Sequence, residues 1–168
     1  LLEEGDWQAQ WITTPEFLPD TPVHIGYMSE LTRYPEEPKW VQIDLGRSRR
    51  FDGIRLYPAV GRRSDVPPGG EIPPGDGFPV RLKVEVSDHE DMSESRVVAD
   101  YTNSDIENPG KAPFHIPVEK AKGRYVRLTV LKHGIISKFQ GNNYCLKLAQ
   151  MEVLKGDQNI ALNCPSTA

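Results

Sequence analysis

The chain lacks the features that mark membrane, helical and nucleic-acid-binding proteins. Its 168 residues contain no apolar run long enough to cross a bilayer and no segment with a sustained helical period. The formal net charge is −4 and the chain has no basic stripe, which excludes the usual nucleic-acid-binding surface. The length predicts one domain with one sizeable core.

Residues that carry catalytic or metal chemistry are also few. The histidines show no metal-ligand spacing; they are His24, His89, His115 and His133. Cys145 and Cys164 form no Cys-x-x-Cys pair, and their spacing leaves open whether they form one disulfide. No glycine loop followed by Lys and Ser or Thr offers a phosphate cradle. These absences predict a chain without an enzyme cofactor.

One group of carboxylates could in principle form a glycosidase site. Asp65, Glu71 and Asp76 fall close together, and two carboxylates flanking a glycosidic bond suffice for hydrolysis. Residues 67–77 are rich in Pro and Gly, however, whereas a catalytic site needs side chains held rigidly by their neighbours. The sequence therefore predicts no catalytic residues in this chain.

The positive signal in the sequence is a set of strands with one buried face. Val41, Ile43 and Leu45 alternate with Trp40, Gln42 and Asp44, which is the period of two of a half-buried strand. Further strands are predicted at 54–57, 80–87, 96–99, 114–118, 124–131 and 146–154, the last with a bulge near Leu148 and Ala149. With 15 prolines and 14 glycines in the turns, the pattern predicts an all-β domain.

The predicted loops fall into two sets if successive strands run antiparallel. Four long loops then share one end, here called the long-loop end: 24–39, 58–79, 101–113 and 132–144. Three tight connections share the short-loop end with both chain termini: 46–53, 88–95 and 119–123. Long loops on a rigid scaffold are a typical place for a binding site, so we expect one at the long-loop end.

Five segments, in this order and spacing, resemble those of discoidin domains, also called coagulation factor type C domains. They are 40–46 (Trp-Val-Gln-Ile-Asp-Leu-Gly), 51–57, 86–88, 124–128 and 149–153, within a similarity that covers residues 24–155. The resemblance implies a jelly-roll β-sandwich with a galactose-binding-like fold. It also implies a non-catalytic carbohydrate-binding module of a secreted glycoside hydrolase, with a glycan as its partner.

The flanking segments resemble parts of larger proteins. Residues 5–12 are similar to the lead-in of multidomain bacterial α-L-rhamnosidases, and residues 159–168 to the opening of a following discoidin-like domain. We therefore expect a lead-in at 1–20, the sandwich at 21–156, and a linker or the start of another domain at 157–168. The resemblance implies an extracellular or periplasmic piece of a longer chain whose partners include neighbouring domains.

One departure from the family bears on metal binding. Calcium-bearing members carry an Asp-rich stretch ending in Thr-Arg-Trp, where this chain has Gly-Tyr-Met-Ser-Glu-Leu-Thr-Arg-Tyr at 26–34. Glu30 and Asp44 remain as oxygen donors for a structural calcium ion. Solvated or hydrogen-bonded carboxylates are the commoner state of such side chains, so the departure argues against a metal site.

A sugar site needs a flat ring for the C–H face of a pyranose and planar polar groups for its hydroxyls. The predicted ligand-binding residues, all at the long-loop end, are His24, Tyr27, Arg62, Arg63, Asp65, Phe139, Asn142, Asn143 and Tyr144, with Tyr34, Phe78 and His133 as further rings and donors. Arg62 and Arg63 are the first choice, because sugar-binding relatives place a ligand-contacting arginine after the corresponding strand. Trp40 is predicted to be a core or rim residue.

Two other functions stay open at this stage. The domain could be a structural spacer with no ligand, or a protein-binding or lipid-binding discoidin domain, and the fold alone does not separate these. Ile135 and Ile136 beside Lys132 and Lys138 are the one candidate for membrane-inserting side chains. The surrounding acidity disfavours a membrane partner.

Overall fold

The computed structural model describes residues 26–59, 74–136 and 143–168. Its strands are β1 (Tyr27–Met28), β2 (Lys39–Pro58), β3 (Pro79–Ser87), β4 (Arg96–Tyr101), β5 (Phe114–His133), β6 (Lys147–Lys155), β7 (Gln158–Asn159) and β8 (Ser166–Thr167). The order across the sheet is β1-β6-β2-β5-β3-β4, with β7 beside β6 and β8 beside β2. In these ranges we find no helix that is long and apolar enough to cross a membrane.

Two 20-residue strands, β2 and β5, form a long antiparallel ribbon at the centre of the fold. Its ladder runs from Lys39 opposite Val130 to Leu56 opposite Phe114. Near the middle the register shifts twice, after Asp44 and after Phe51, and such bulges bend a ribbon. One half is extended by β3 and β4 and the other by β6 and β1, which gives the two layers of a β-sandwich.

An ion pair holds the bend of the ribbon. The Arg124 guanidinium donates to both carboxylate oxygens of Asp44, at 2.7 and 2.8 Å. The same carboxylate accepts a hydrogen bond from the Gly46 N–H at 2.7 Å. Gly46 has φ 76°, in the left-handed region that favours glycine. The Arg124 hydrogen bond holds the pKa of Asp44 below its usual value, so the pair stays charged at neutral pH.

Both layers bury one face in a shared core. Val41, Ile43 and Leu45 are 1, 2 and 4% exposed, which confirms their predicted face. The second layer contributes the alternate residues Ile54 and Leu56, both at 0%. The core cluster also contains Leu82, Val84, Val86, Ile116, Val118, Val126, Leu128, Val130, Leu148, Met151 and Val153. Two layers that bury their inward faces against each other in this way confirm the predicted all-β sandwich.

The sequence prediction is wrong about where two strands end. Separate strands are expected at 40–45 and 54–57, but β2 runs through both; β5 likewise runs through the predicted strands at 114–118 and 124–131. The physical reason is that turn-forming residues in one strand are accommodated as bulges when the partner strand bends alongside it.

The predicted bulge in β6 is confirmed. Tyr57 lies opposite Gln150 and Pro58 lies opposite Leu148, which leaves Ala149 as the extra residue. A further register shift lies between Pro79, opposite His133, and Arg81, opposite Lys132, and it leaves Val80 as an extra residue in β3. Val80 is accordingly only half-buried.

The strand register confirms how the described parts of the loops are sorted between the two ends; residues 1–25, 60–73 and 137–142 lie outside the described residues. The first layer ends near Lys39, Pro79 and His133, and the second ends near Pro58 and Phe114. Of the described loops, 29–38, 102–113, 134–136, 143–146 and the segment 74–78 therefore lie at the long-loop end. The ribbon bend and residues 88–95 lie at the short-loop end.

The C-terminal residues pack on the sandwich. β7 pairs with the end of β6, β8 pairs with Gln42 and Ile43, and Ile160 is 4% exposed. Cys145 and Cys164 are both free. Cys145 is buried at the long-loop end, whereas Cys164 is near the bend, since the adjacent Pro165 accepts from the Asp44 N–H. The predicted domain limits, 21–156 with two flanking segments, stay a prediction.

We expect Val84→Asp to abolish cooperative folding. Val84 is 0% exposed in the centre of β3, and an unpaired buried charge costs several kcal/mol against a total stability of about 5–15 kcal/mol. The matched control is Val97→Asp on β4, where the side chain is 48% exposed and the melting temperature should change little. A Val84→Asp protein that melts like the Val97→Asp protein would show that the face assignment is wrong.

Candidate functional site

Three segments of the long-loop end are joined by backbone hydrogen bonds. The Thr32 N–H donates to the Tyr144 carbonyl oxygen and the Tyr144 N–H donates to the Thr32 carbonyl oxygen, both at 2.8 Å. Tyr144 also forms an isolated bridge with Ile135. The Ser29 N–H donates to the Leu146 carbonyl oxygen at 2.9 Å. Residues 29–37, 134–136 and 143–146 therefore form one fixed surface, which we call the loop platform.

The turn at residues 32–37 is closed by its own side chains. The Thr32 hydroxyl donates to one carboxylate oxygen of Glu37 and accepts a hydrogen bond from the Tyr34 N–H at 3.1 Å. The Lys39 ammonium donates to the other Glu37 oxygen at 2.6 Å. These bonds, the Lys39 bond first, lower the pKa of Glu37, so the turn remains clasped at neutral pH. At its tip, Tyr34 is 71% exposed.

A buried ion pair anchors the segment next to the platform. Asp76 is 6% exposed, and its carboxylate lies 3.5 Å from the Lys147 ammonium, whose side chain is 13% exposed. The Lys147 backbone N–H donates to the Gly77 carbonyl oxygen at 3.1 Å. The Asn108 side-chain amide donates to the Pro74 carbonyl oxygen at 3.0 Å. The chain is thus fixed where it follows the stretch that contains Arg62, Arg63 and Asp65.

Gly75 explains how that anchor fits. Its φ is 75°, and a Cβ added there would lie 2.0 Å from the Asn108 side-chain oxygen. Only glycine allows both the backbone conformation and the close approach of Asn108. The sequence analysis treats Gly75 only as a loop-forming residue. In the structure it has this specific use.

The structure describes three of the nine predicted ligand-binding residues. Asn143 and Tyr144 are half-buried within the loop platform, where the Asn143 carbonyl oxygen accepts from the Ile136 N–H at 3.2 Å. Tyr27 lies opposite Leu148 in β1 and packs against the core; burial above all raises the pKa of its phenol. The other six lie outside the described residues: His24, Arg62, Arg63, Asp65, Phe139 and Asn142.

Two further candidates are misplaced by the sequence analysis. Phe78 is 3% exposed and meets Phe114 edge-on at 6.0 Å between ring centroids, so it is a core residue and not a sugar platform. His133 is 2% exposed and its Nε2 lies 2.8 Å from the Glu37 carbonyl oxygen, so it supports the turn from below. Trp40 is half-buried under the Arg127 guanidinium, 4.2 Å above the ring, as expected of a rim residue.

The sequence analysis also missed two exposed apolar side chains at this end, Met28 and Leu31, which are 55 and 51% exposed. Ile135, a candidate for membrane insertion, is 57% exposed. Ile136 is buried, and the Lys132 ammonium donates to Asp105 at 2.7 Å, so of the predicted membrane-inserting pair only Ile135 is exposed, beside a lysine that is already paired. Lys138 lies outside the described residues. Leu31 and Met28 follow no clear alternation in the sequence, which gave no signal of their exposure.

The described residues offer little for metal or covalent chemistry. Within them, no three His, Cys, Asp or Glu side chains are placed so that they could hold a metal ion. Asp44 is engaged by Arg124, and Glu30 is exposed. Burial raises the pKa of the Cys145 thiol to about 11, which keeps it protonated. Asp76, one of the three carboxylates considered for hydrolysis, is buried against Lys147; Asp65 and Glu71 lie outside the described residues.

Comparisons with known proteins show the fold. No protein-family model and no curated protein matches the chain. The family 32 carbohydrate-binding module of Clostridium perfringens NanJ, in complex with galactose, matches with TM-score 0.51 and 12% identity over 75% of this chain and 73% of that one. Module CBM32-3 of a family 31 glycoside hydrolase from the same organism matches with TM-score 0.52 and 17% identity over 77% and 74%. These likenesses confirm the galactose-binding-like β-sandwich.

We expect Lys147→Met to destabilise the domain by about 3 kcal/mol, because it leaves the buried Asp76 carboxylate without its cation. The urea midpoint of unfolding measures the effect. The double variant Asp76→Asn/Lys147→Met should recover part of the lost stability. Lys155→Met, at an exposed position, should leave the urea midpoint unchanged. Equal midpoints for Lys147→Met and Lys155→Met would show that the pair does not anchor this segment.

Proposed function

We propose that this domain is a non-catalytic carbohydrate-binding module that holds a glycan on the loop platform. The observation that carries the proposal is the exposure of Tyr34, 71% for the residue, on a turn that is fastened on both sides. A flat ring presented in this way can stack on the C–H face of a pyranose. Because the turn is already ordered, little conformational entropy is lost on binding.

Planar polar groups complete the proposed site. Asn143 belongs to the platform itself, next to Tyr144. Arg62, Arg63 and Asp65 belong to the stretch that ends at the Asp76 anchor, and they remain the proposed hydrogen-bonding partners of the sugar hydroxyls, with His24, Phe139 and Asn142. The shared fold with a module that is described in complex with galactose supports a sugar ligand, and the proposed class is a neutral or acidic glycan.

The affinity for one sugar should be weak. A single pyranose buries a small surface and loses translational freedom, so a Kd on the order of 0.1–1 mM is expected. Neighbouring modules on one polypeptide would raise the overall avidity. This is consistent with the further proposal that the domain belongs to a secreted, α-L-rhamnosidase-like glycoside hydrolase.

A protein-binding or lipid-binding role is the second candidate, and one observation favours it. Met28, Leu31 and Ile135 expose aliphatic side chains at the same end as Tyr34. For a lipid surface the support is weak, because Ile136 is buried and Lys132 is paired with Asp105. A protein partner with an apolar patch fits these side chains better.

A glycan array followed by titration of the best ligand tests the proposal. Tyr34→Ala should weaken binding about tenfold, or ~1.4 kcal/mol, without lowering the melting temperature. Arg62→Ala, Arg63→Ala and Tyr144→Ala should also weaken it. Tyr34→Phe keeps the ring and should bind almost normally, and Lys122→Ala at the short-loop end is the matched negative control. If no glycan binds at millimolar sensitivity, the spacer or protein-binding reading is the better one.

The chain should hydrolyse no glycoside. Asp76 faces Lys147 in the interior, so it cannot flank a glycosidic bond as one of two free carboxylates. We expect nitrophenyl rhamnosides and galactosides to release nitrophenol no faster than in buffer. Release above that rate, abolished by Asp65→Asn, would overturn the non-catalytic assignment.

A further inference from the structure

His133 occupies an unusual position for a titratable side chain. It is the last residue of β5, and its ring is almost fully enclosed, with 2% of the residue exposed. Its backbone N–H donates to the Pro35 carbonyl oxygen at 2.8 Å, and its ring Nε2 lies 2.8 Å from the backbone carbonyl oxygen of Glu37. One histidine therefore fastens the 32–37 turn to the end of the ribbon at two points.

The hydrogen bonds fix the tautomer of the ring. A carbonyl oxygen only accepts, so Nε2 carries the proton and Nδ1 carries a lone pair. Nδ1 is buried, and no hydrogen-bond partner for it is found in the part of the chain that the structure describes. A proton added to Nδ1 would thus create an enclosed cation whose new N–H finds no acceptor there.

The charged groups that face this ring do not remove that penalty. The Glu37 carboxylate would favour a cation, but it is engaged by the Lys39 ammonium at 2.6 Å and by the Thr32 hydroxyl. Lys39 itself opposes a second positive charge. Lys132, the neighbour in β5, is directed to Asp105, and His133 lies opposite the apolar Pro79 in β3.

We propose that neutral His133 is a positioning residue for the loop platform: it holds the Tyr34 turn in place, and protonation of its Nδ1 releases that turn. The platform is therefore assembled at neutral pH and loosened in mild acid. The consequence for ligand affinity rests on the proposed glycan-binding function, whereas the motion of the turn does not.

The direction of the pH effect follows from linkage. Burial, the largest cause, lowers the pKa of His133 from its ordinary 6.5, with Lys39 acting in the same direction and the Glu37 carbonyl and carboxylate opposing. A released ring has the ordinary pKa, so the fastened state binds fewer protons. Its stability is fully present above about pH 6.5 and falls as the pH drops from there toward the lowered value.

Backbone hydrogen exchange of the whole chain between pH 8 and 5 tests the proposal without a ligand. After correction for intrinsic rates, protection of the Glu37 N–H and the paired Thr32 N–H should fall up to about tenfold per pH unit below 6.5. Core amides such as that of Leu128 exchange through global unfolding, which also releases the ring, so their protection should fall by no more than the same factor and should stay higher than that of residues 32–37 at every pH. No pH-dependent loss at residues 32–37 would overturn the proposal, and so would protection there equal to that of Leu128, because the turn would then open only when the whole domain unfolds.

Variants separate His133 from other titrating groups. His133→Gln offers an amide N–H to the Glu37 carbonyl without titrating, so the pH dependence at residues 32–37 should flatten. The exposed histidines provide matched controls, since His89→Gln and His115→Gln should leave it unchanged. Lys39→Met leaves His133 intact but removes a cation that disfavours its protonation, so the total loss of protection between pH 8 and 5 should be smaller. Acid loosening that persists in His133→Gln, or an undiminished loss in Lys39→Met, would contradict the assignment.

If a glycan ligand is found, its Kd in the wild type should rise over the same pH range and stay flat in His133→Gln. Failure to find any glycan would count against the proposed function alone. The exchange measurement would still decide the role of His133.

Discussion

Continuous pairing of β2 with β5 through the bend is the constraint on which the rest of the structure depends. The ladder continues on both sides of the Asp44 and Arg124 pair, so the position of each layer is set by the same two strands. β3 and β4 extend one half of this ribbon, and β6 and β1 extend the other half. The long loops meet at one end because the ribbon brings its four strand ends there, and the platform is a consequence of that geometry.

The platform is a fixed surface that carries both charged and apolar side chains. Glu37 is engaged by Lys39 and Thr32, and Asp76 in the neighbouring segment is engaged by Lys147. The exposed residues of the platform are Glu30, Leu31, Arg33, Tyr34, Glu36 and Ile135. The exposed tyrosine and aliphatic side chains of such an ordered surface are suited to hold a ligand by shape and stacking.

The sequence predicted the inward faces and the sorting of the loops well, because both follow from local alternation and from chain order. It failed where the outcome depends on contacts from far along the chain. Gly46 looks the same whether a strand turns or bulges, and only the partner strand decides. His133 and Phe78 have the composition of ligand-contacting residues, but neighbouring segments cover both. Ile135 and Ile136 are identical residues in the sequence, and only the bridge to Tyr144 separates an exposed side chain from a buried one.

Sharing two strands between both layers also limits how the chain can assemble. Lys39 finds its partner Val130 about ninety residues later, and such distant pairings form slowly because a large loop must close before any contact is gained. Until β5 is complete, β2 presents an apolar face and an open ladder that other chains could join. Neither layer can fold stably without the other, so we expect the domain to form in one cooperative step. A chain interrupted before residue 114 would be prone to aggregate, since it could not fold into half a sandwich.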